Sequence, residues 1–262
     1  MNRIDRCFEE LKKQNRKALI TCTTAGDPDM DTTRQAVLEL FQDGADIVEL
    51  GVPFSDPIAE DLIIQKASLR SLKKGTTLDQ IFEIIPAIRK ECDKPIVLSM
   101  YLNTIFAYGK ERFFEACSRL GIDGVIVPDM PFEEHDEIAE YADKYGVYSI
   151  NILSPVSGKR VRKIAAASKG YLYCISSNQE RVPNPREDQA FLDMCEMIRE
   201  SSKVPFCMEY GALPIDYADT AAQCCDGIVI GSAIVDIMNR NVGQAQKKVE
   251  QYVLDIRKAL DR

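Results

Sequence analysis

The chain has 262 residues, of which 45% are hydrophobic and 28% charged, with a net charge of −8. That acidic balance argues against a nucleic-acid surface, and no apolar run reaches the length needed to cross a membrane. Nine cysteines without CxxC spacing and one histidine, His135, count against a zinc site and favour a reducing, cytoplasmic setting.

The first segment, Met1 to Gln14, is polar and charged, with Ile4, Cys7, Phe8 and Leu11 at helical spacing. It reads as an N-terminal helix and not as a signal peptide. Eight short apolar runs follow: Ala18–Ala25, Ile47–Val52, Pro95–Tyr101, Gly124–Pro128, Tyr148–Leu153, Gly170–Ile175, Val204–Met208 and Gly227–Ile230. Strands covered on both faces have this near-continuous apolar character. Amphipathic segments lie between them. In one, Leu78, Ile81, Phe82, Ile85, Ile88 and Cys92 form a single stripe, preceded by Thr77 and Gln80 at capping-box spacing. The tail from Val242 repeats the pattern with Ala245, Val249, Tyr252, Val253, Ile256 and Leu260.

No linker or shift in composition divides the chain. Strands alternating with helices over this length predict one domain, residues 1–262, folded as a (β/α)8 TIM barrel with an extra N-terminal helix. The rival doubly wound sheet lacks its Gly-x-Gly-x-x-Gly after the first strand.

Active sites of such barrels lie at the C-terminal strand ends. Glu49 sits near the end of the second strand, where a partly desolvated carboxylate has a raised pKa suited to proton transfer near neutrality. The plainer alternative is a carboxylate paired with a lysine at the rim. Other strand ends carry Tyr101, Asn103, Asp129 and Tyr173, which together would make a polar and aromatic pocket for a small, partly aromatic ligand. After the last strand, Gly231 and Ser232 open a short helix, a place suited to an anion. Phosphate sites in these barrels commonly follow strands seven and eight.

The segments "LITCTTAGDPD", "ADIVELGVPFSDPIAEDLIIQKASLRSLKKGTT", "MYLNTIFAYG", "GVIVPDMPFEE", "NILSP" and "GIVIGSAIV" resemble, in order, those of the tryptophan synthase alpha chain family. The resemblance implies a cytoplasmic lyase of tryptophan biosynthesis that cleaves indole-3-glycerol phosphate to indole and glyceraldehyde 3-phosphate by a retro-aldol route. It implies Glu49 as the acid/base at the breaking carbon bond and Glu60 as the acceptor of the indole N–H proton. Tyr173 would lie beside the substrate, with Gly231 and Ser232 at its phosphate. Tyr101, Asp129 and Gly211 complete the expected substrate-binding set. No metal or cofactor is implied in this chain; pyridoxal phosphate belongs to the expected beta-chain partner, in an alpha2beta2 assembly that the Ser55–Pro57 loop would contact.

The chain departs from the family pattern at several points. Glu60 stands for an aspartate, and Asp61-Leu62 for a Gly-Pro, which makes Asp61 a competing second acid. The downstream spacing of Ile64, Gln65 and Ala67 favours Glu60. The stretch "SSNQERVPNPRED" replaces a glycine-bearing closing loop and offers Arg181 or Arg186 as a phosphate clamp. Glu209-Tyr210-Gly211 replaces a Gly-Phe-Gly turn, setting a carboxylate beside a phosphate site. Two further readings stay open: a diverged paralogue with another ligand, and a non-catalytic partner of a beta chain.

Overall fold

Eight parallel strands close into a barrel in the order of the chain. They are β1 (Ala18–Thr24), β2 (Ile47–Gly51), β3 (Ile96–Ser99), β4 (Gly124–Ile126), β5 (Tyr148–Leu153), β6 (Leu172–Cys174), β7 (Phe206–Glu209) and β8 (Gly227–Ile230). The structure is a computed structural model that describes residues 1–175, 189–209, 218, 222–241 and 244–261. The helices used below are α1 (Arg3–Lys13), α2 (Met30–Gln42), α3 (Leu62–Lys73), α4 (Leu78–Glu91), α5 (Leu102–Tyr108) and α6 (Lys110–Leu120). They continue with α7 (Asp136–Tyr145), α8 (Arg160–Ala167), α9 (Gln189–Ser201), α10 (Ser232–Arg240) and α11 (Ala245–Leu260).

Strand alternation sorts the apolar residues into two cores. Ile20 and Ile47 point inward and meet Val97, Ile126, Ile150 and Val229, while Ile4 and Leu11 of α1 pack into the same cluster. Helix α1 therefore stoppers the N-terminal end of the barrel. Leu19, Val48, Leu50 and Leu98 point outward to the surrounding helices, among them the buried stripe of α4. The expected capping box of α4 is formed, Thr77 and Gln80 each bonding the other's backbone N–H.

The strands are shorter than their apolar runs at several ends. Chain that leaves a strand early becomes a cap or a turn: Tyr101 is the N-cap of α5, not the last residue of β3. Proline has no N–H for the ladder, consistent with β4 stopping before Pro128 and β7 starting after Pro205, at Phe206. At the seam, Ala18 pairs with Gly227. A Cβ on Gly227 would lie 2.6 Å from that of Ala18, so only glycine lets the two edges meet.

Three aspartates tie the floor of the barrel, each one residue ahead of a strand and each bonded to the strand before it. Asp46 accepts the N–H of Leu19 at 2.8 Å, Asp123 that of Ile96 at 2.9 Å, and Asp226 that of Phe206 at 3.0 Å. Arg257 pairs with Asp46, and Arg3 and Arg89 with Asp123. The opposite end carries a different kind of acid.

Candidate active site

Glu49 lies two residues beyond the inward-facing Ile47 on β2, so alternation turns it into the barrel as well. It is only 2% exposed. Its Oε1 accepts the phenol proton of Tyr171 at 2.6 Å, and its Oε2 accepts the thiol proton of Cys22 at 2.8 Å. Cys22 is the register partner of Glu49 across the β1–β2 pair, and Tyr171 is fully buried just ahead of β6. Burial pushes the Glu49 carboxyl up to about 7; the Cys22 and Tyr171 hydrogen bonds oppose the rise and Glu209 adds to it. Among the described residues Glu49 makes no ion pair, so the rim-lysine alternative does not hold. A carboxyl at about 7 is populated in both its forms near neutral pH.

Glu49 opens on a cavity of about 310 Å³ at the C-terminal mouth, whose lining includes Glu60, Asp61, Glu209, Tyr173, Gly231 and Ser232. Ile64, Ile126, Ile152 and Ile175 supply its apolar wall. Glu60, from the loop between β2 and α3, is also held at about 7, by burial first and then by the charges of Glu209, Asp61 and Glu49. Burial likewise raises Glu209, with Asp61 adding to the effect. Tyr173 is pushed well above the ordinary phenol value, mainly by burial. It enters the cavity as a neutral aromatic wall.

Two expected binding residues stand elsewhere. The Tyr101 hydroxyl accepts the N–H of Ala59 at 2.9 Å, and its ring stacks on Phe54 with centroids 4.7 Å apart. Tyr101 thus braces the loop that carries Glu60 and does not line the cavity. Asp129 accepts the N–H of Leu102 at 2.9 Å and lines a separate depression beside β5 and α8. Asn103 is exposed on α5. Gly211, Arg181 and Arg186 lie outside the described residues.

Gly231 and Ser232 reach the cavity as expected, as the N-cap and first residue of α10. The Ser232 hydroxyl, however, donates to Asp61 Oδ2. Asp61 is also the N-cap of α3: its Oδ1 accepts the N–H groups of Ile63 at 2.8 Å and Ile64 at 3.0 Å. Both its oxygens are engaged, whereas among the described residues neither the Glu60 nor the Glu209 carboxylate accepts a hydrogen bond in the cavity. Sequence reasoning missed Cys22, Tyr171 and the Asp61–Ser232 bond. The available signals were the shared strand layer of Cys22 and Glu49 and the aspartate directly ahead of an apolar helix.

With this geometry in hand, comparison with known proteins is specific. The family model for "Tryptophan synthase alpha chain" matches residues 8–261. The tryptophan synthase alpha chain of Caldanaerobacter subterraneus subsp. tengcongensis is 40% identical, with 99% of this chain and 100% of that one covered. The one from Clostridium kluyveri is also 40% identical, with 100% of each covered. The fold superimposes on the crystal structure of tryptophan synthase subunit alpha from Legionella pneumophila str. Paris with a TM-score of 0.91. Identity there is 31%, over 100% of this chain and 99% of that one.

Proposed function

The chain belongs to the tryptophan synthase alpha chain family, and from that premise we propose how its own residues perform the family's chemistry. The reaction is cleavage of indole-3-glycerol phosphate into indole and glyceraldehyde 3-phosphate, a lyase step of tryptophan biosynthesis. The observation that carries the assignment of roles is Glu49: a buried carboxyl at about 7, with no cation among the described residues fixing it as an anion.

In this reading the indole ring lies against Tyr173 and the isoleucine wall. Protonated Glu49 gives its proton to the ring carbon that bears the side chain, while ionised Glu60 takes the ring N–H proton. The glycerol carbon bond is then weakened, because its electrons can flow into the ring. Glu49, now a carboxylate, takes the proton of the adjacent side-chain hydroxyl. The carbon–carbon bond breaks, a carbonyl forms on the departing triose, and Glu60 returns its proton to the ring nitrogen. Each carboxyl ends as it began. Groups with pKa values near the working pH suit this two-way traffic. Tyr171 and Cys22 stabilise Glu49 in its ionised interval.

The phosphate is assigned to the start of α10, where Gly231 and Ser232 bring backbone N–H groups and a hydroxyl to the cavity. This chemistry asks for no cofactor within the chain. A beta chain is the partner that the family implies. An alpha2beta2 assembly, with pyridoxal phosphate in the beta chain, is supported by exposed apolar side chains beside the Ser55–Pro57 loop, Ile58 at 84% and Leu62 at 68% exposure. Cytoplasmic residence is supported by nine cysteines without CxxC spacing. No helix among the described residues is long and apolar enough to cross a membrane.

The test is direct. The purified chain, alone and with a beta chain, is incubated with indole-3-glycerol phosphate while indole is followed. Glu49→Gln should cut turnover by about 10²–10⁴-fold with the fold intact. A glutamine variant near wild-type turnover would remove Glu49 from the chemistry, and no indole from either preparation would overturn the lyase reading.

A further inference from the structure

Two helices begin at the mouth of the barrel on a single carboxylate. Asp61 caps α3 through Oδ1 and, through Oδ2, holds the hydroxyl of Ser232 at the start of α10. Ser232 is buried, whereas Asp61 is exposed at the rim. The place assigned to the substrate phosphate thus already has a negative oxygen on its hydroxyl donor. Glu60 and Glu209 share the cavity, and none of the described residues lining it is cationic.

A phosphate dianion and a carboxylate cannot both accept the one proton of Ser232, and at that separation they repel. We propose that Asp61 is an internal anion that competes with ligand phosphate for Ser232 and so sets the affinity of this chain for phosphorylated ligands. The inference rests on the lyase reading for where phosphate binds. A phosphorylated ligand seats only when Asp61 releases Ser232. Oδ1 stays on α3 as Oδ2 lets go, so capping of the helix survives the exchange. An uncharged ring that puts nothing at α10 is not opposed. Asp61 therefore penalises substrate and triose phosphate alike and leaves indole unaffected, an arrangement that hastens departure of the phosphorylated product.

The experiment titrates glycerol 3-phosphate into the purified chain by calorimetry. Asp61→Ser keeps a helix-capping side chain but removes the charge and the reach to Ser232. Asp61→Asn removes the charge alone. Both variants should bind the ester at least about fivefold more tightly than wild type at low ionic strength, with a gap that narrows as salt is added. Adding Ser232→Ala to Asp61→Ser should abolish the gain.

Equal or weaker binding by both folded single variants overturns the proposal, as does an absence of ester binding in every form. Indole release separates it from the lyase reading. Release with unchanged ester affinity in the variants sinks the role of Asp61 alone. Tighter ester binding without indole from any form sinks the lyase reading and leaves Asp61 as the competitor.

Discussion

Tyr171 donates its phenol proton to Glu49 Oε1 at 2.6 Å inside the barrel, joining a residue just ahead of β6 to one on β2. With Cys22 on the other oxygen, it partly offsets the burial that would otherwise keep the carboxyl neutral. Tyr171→Phe removes one donor to the ionised form and adds no charge, so the Glu49 pKa must rise above about 7. A hydrogen bond to a charged group contributes about 1.5–3 kcal/mol, and one pKa unit is about 1.4 kcal/mol. The alkaline limb of the pH–rate profile, where protonated Glu49 is lost, should therefore move up by about one to two units. An unmoved limb in a folded variant would show that the bond does not tune the acid.

Glu60 and Asp61 are neighbours with different duties. Glu60→Ala should lose indole release by about 10²-fold or more, because the neighbouring Asp61 is held by α3 and Ser232 and does not replace it. Glu60→Asp keeps the carboxylate and should retain or raise turnover. Asp61→Ala removes a helix cap and a bond to Ser232, so its cost should appear in stability, about 1 kcal/mol, more than in turnover. Steady-state rates for the three variants decide it; a larger loss of turnover in Asp61→Ala would reverse the two roles.

The raised Glu60 also has a consequence for stability. Its folded value of about 7 lies above the ordinary 4.5, so between those values the folded chain holds a proton that the unfolded chain has released. Its favourable contribution is complete below about 4.5 and is lost as pH rises through about 7. Glu60→Gln has no proton to lose. Its stability relative to wild type should grow between about pH 5 and pH 8 by on the order of 1–2 kcal/mol, read from urea midpoints. A difference that stays constant over that range would contradict the shift.

At the floor of the barrel the expected response is the opposite. Asp123 accepts bonds from Arg3, Arg89 and the N–H of Ile96. Asp123→Ala leaves the largely buried Arg89 without its carboxylate, at a cost of about 3–5 kcal/mol in urea unfolding. Active-site titration of the protein that remains folded should give near-normal turnover per site, since the mouth is at the far end. Loss of turnover without loss of stability would place Asp123 in the catalytic half.

The barrel was legible because a strand buried on both faces shows an apolar run, and a helix against it shows a stripe. Ile47 and Glu49 share a face by alternation alone, so the inward acid could be found from β2 by itself. What lay beyond reach depends on geometry between distant segments. The Tyr171–Glu49 bond needs the stagger of the closed barrel, which no local pattern encodes. Asp61 meets Ser232 only because α3 and α10 start at one place. Tyr101 and Asp129 were expected in the pocket because strand ends point there, yet each residue satisfies a nearby backbone N–H instead. Local hydrogen-bonding demand decided their direction.

The Ala18–Gly227 seam also bears on how the protein is made. Both rows of backbone groups at that seam belong to strands separated by most of the chain. During synthesis, β1 emerges early and can pair with β2, but its other edge must wait for β8. Until then β1 and the newest strand are bare edges, the kind that pair with other chains. Until β8 is available the sheet cannot close, and the edge of β1 that faces it has no partner strand. Closing the cylinder, and with it completing the phosphate end of the site, falls to the last strand and the helix that follows it.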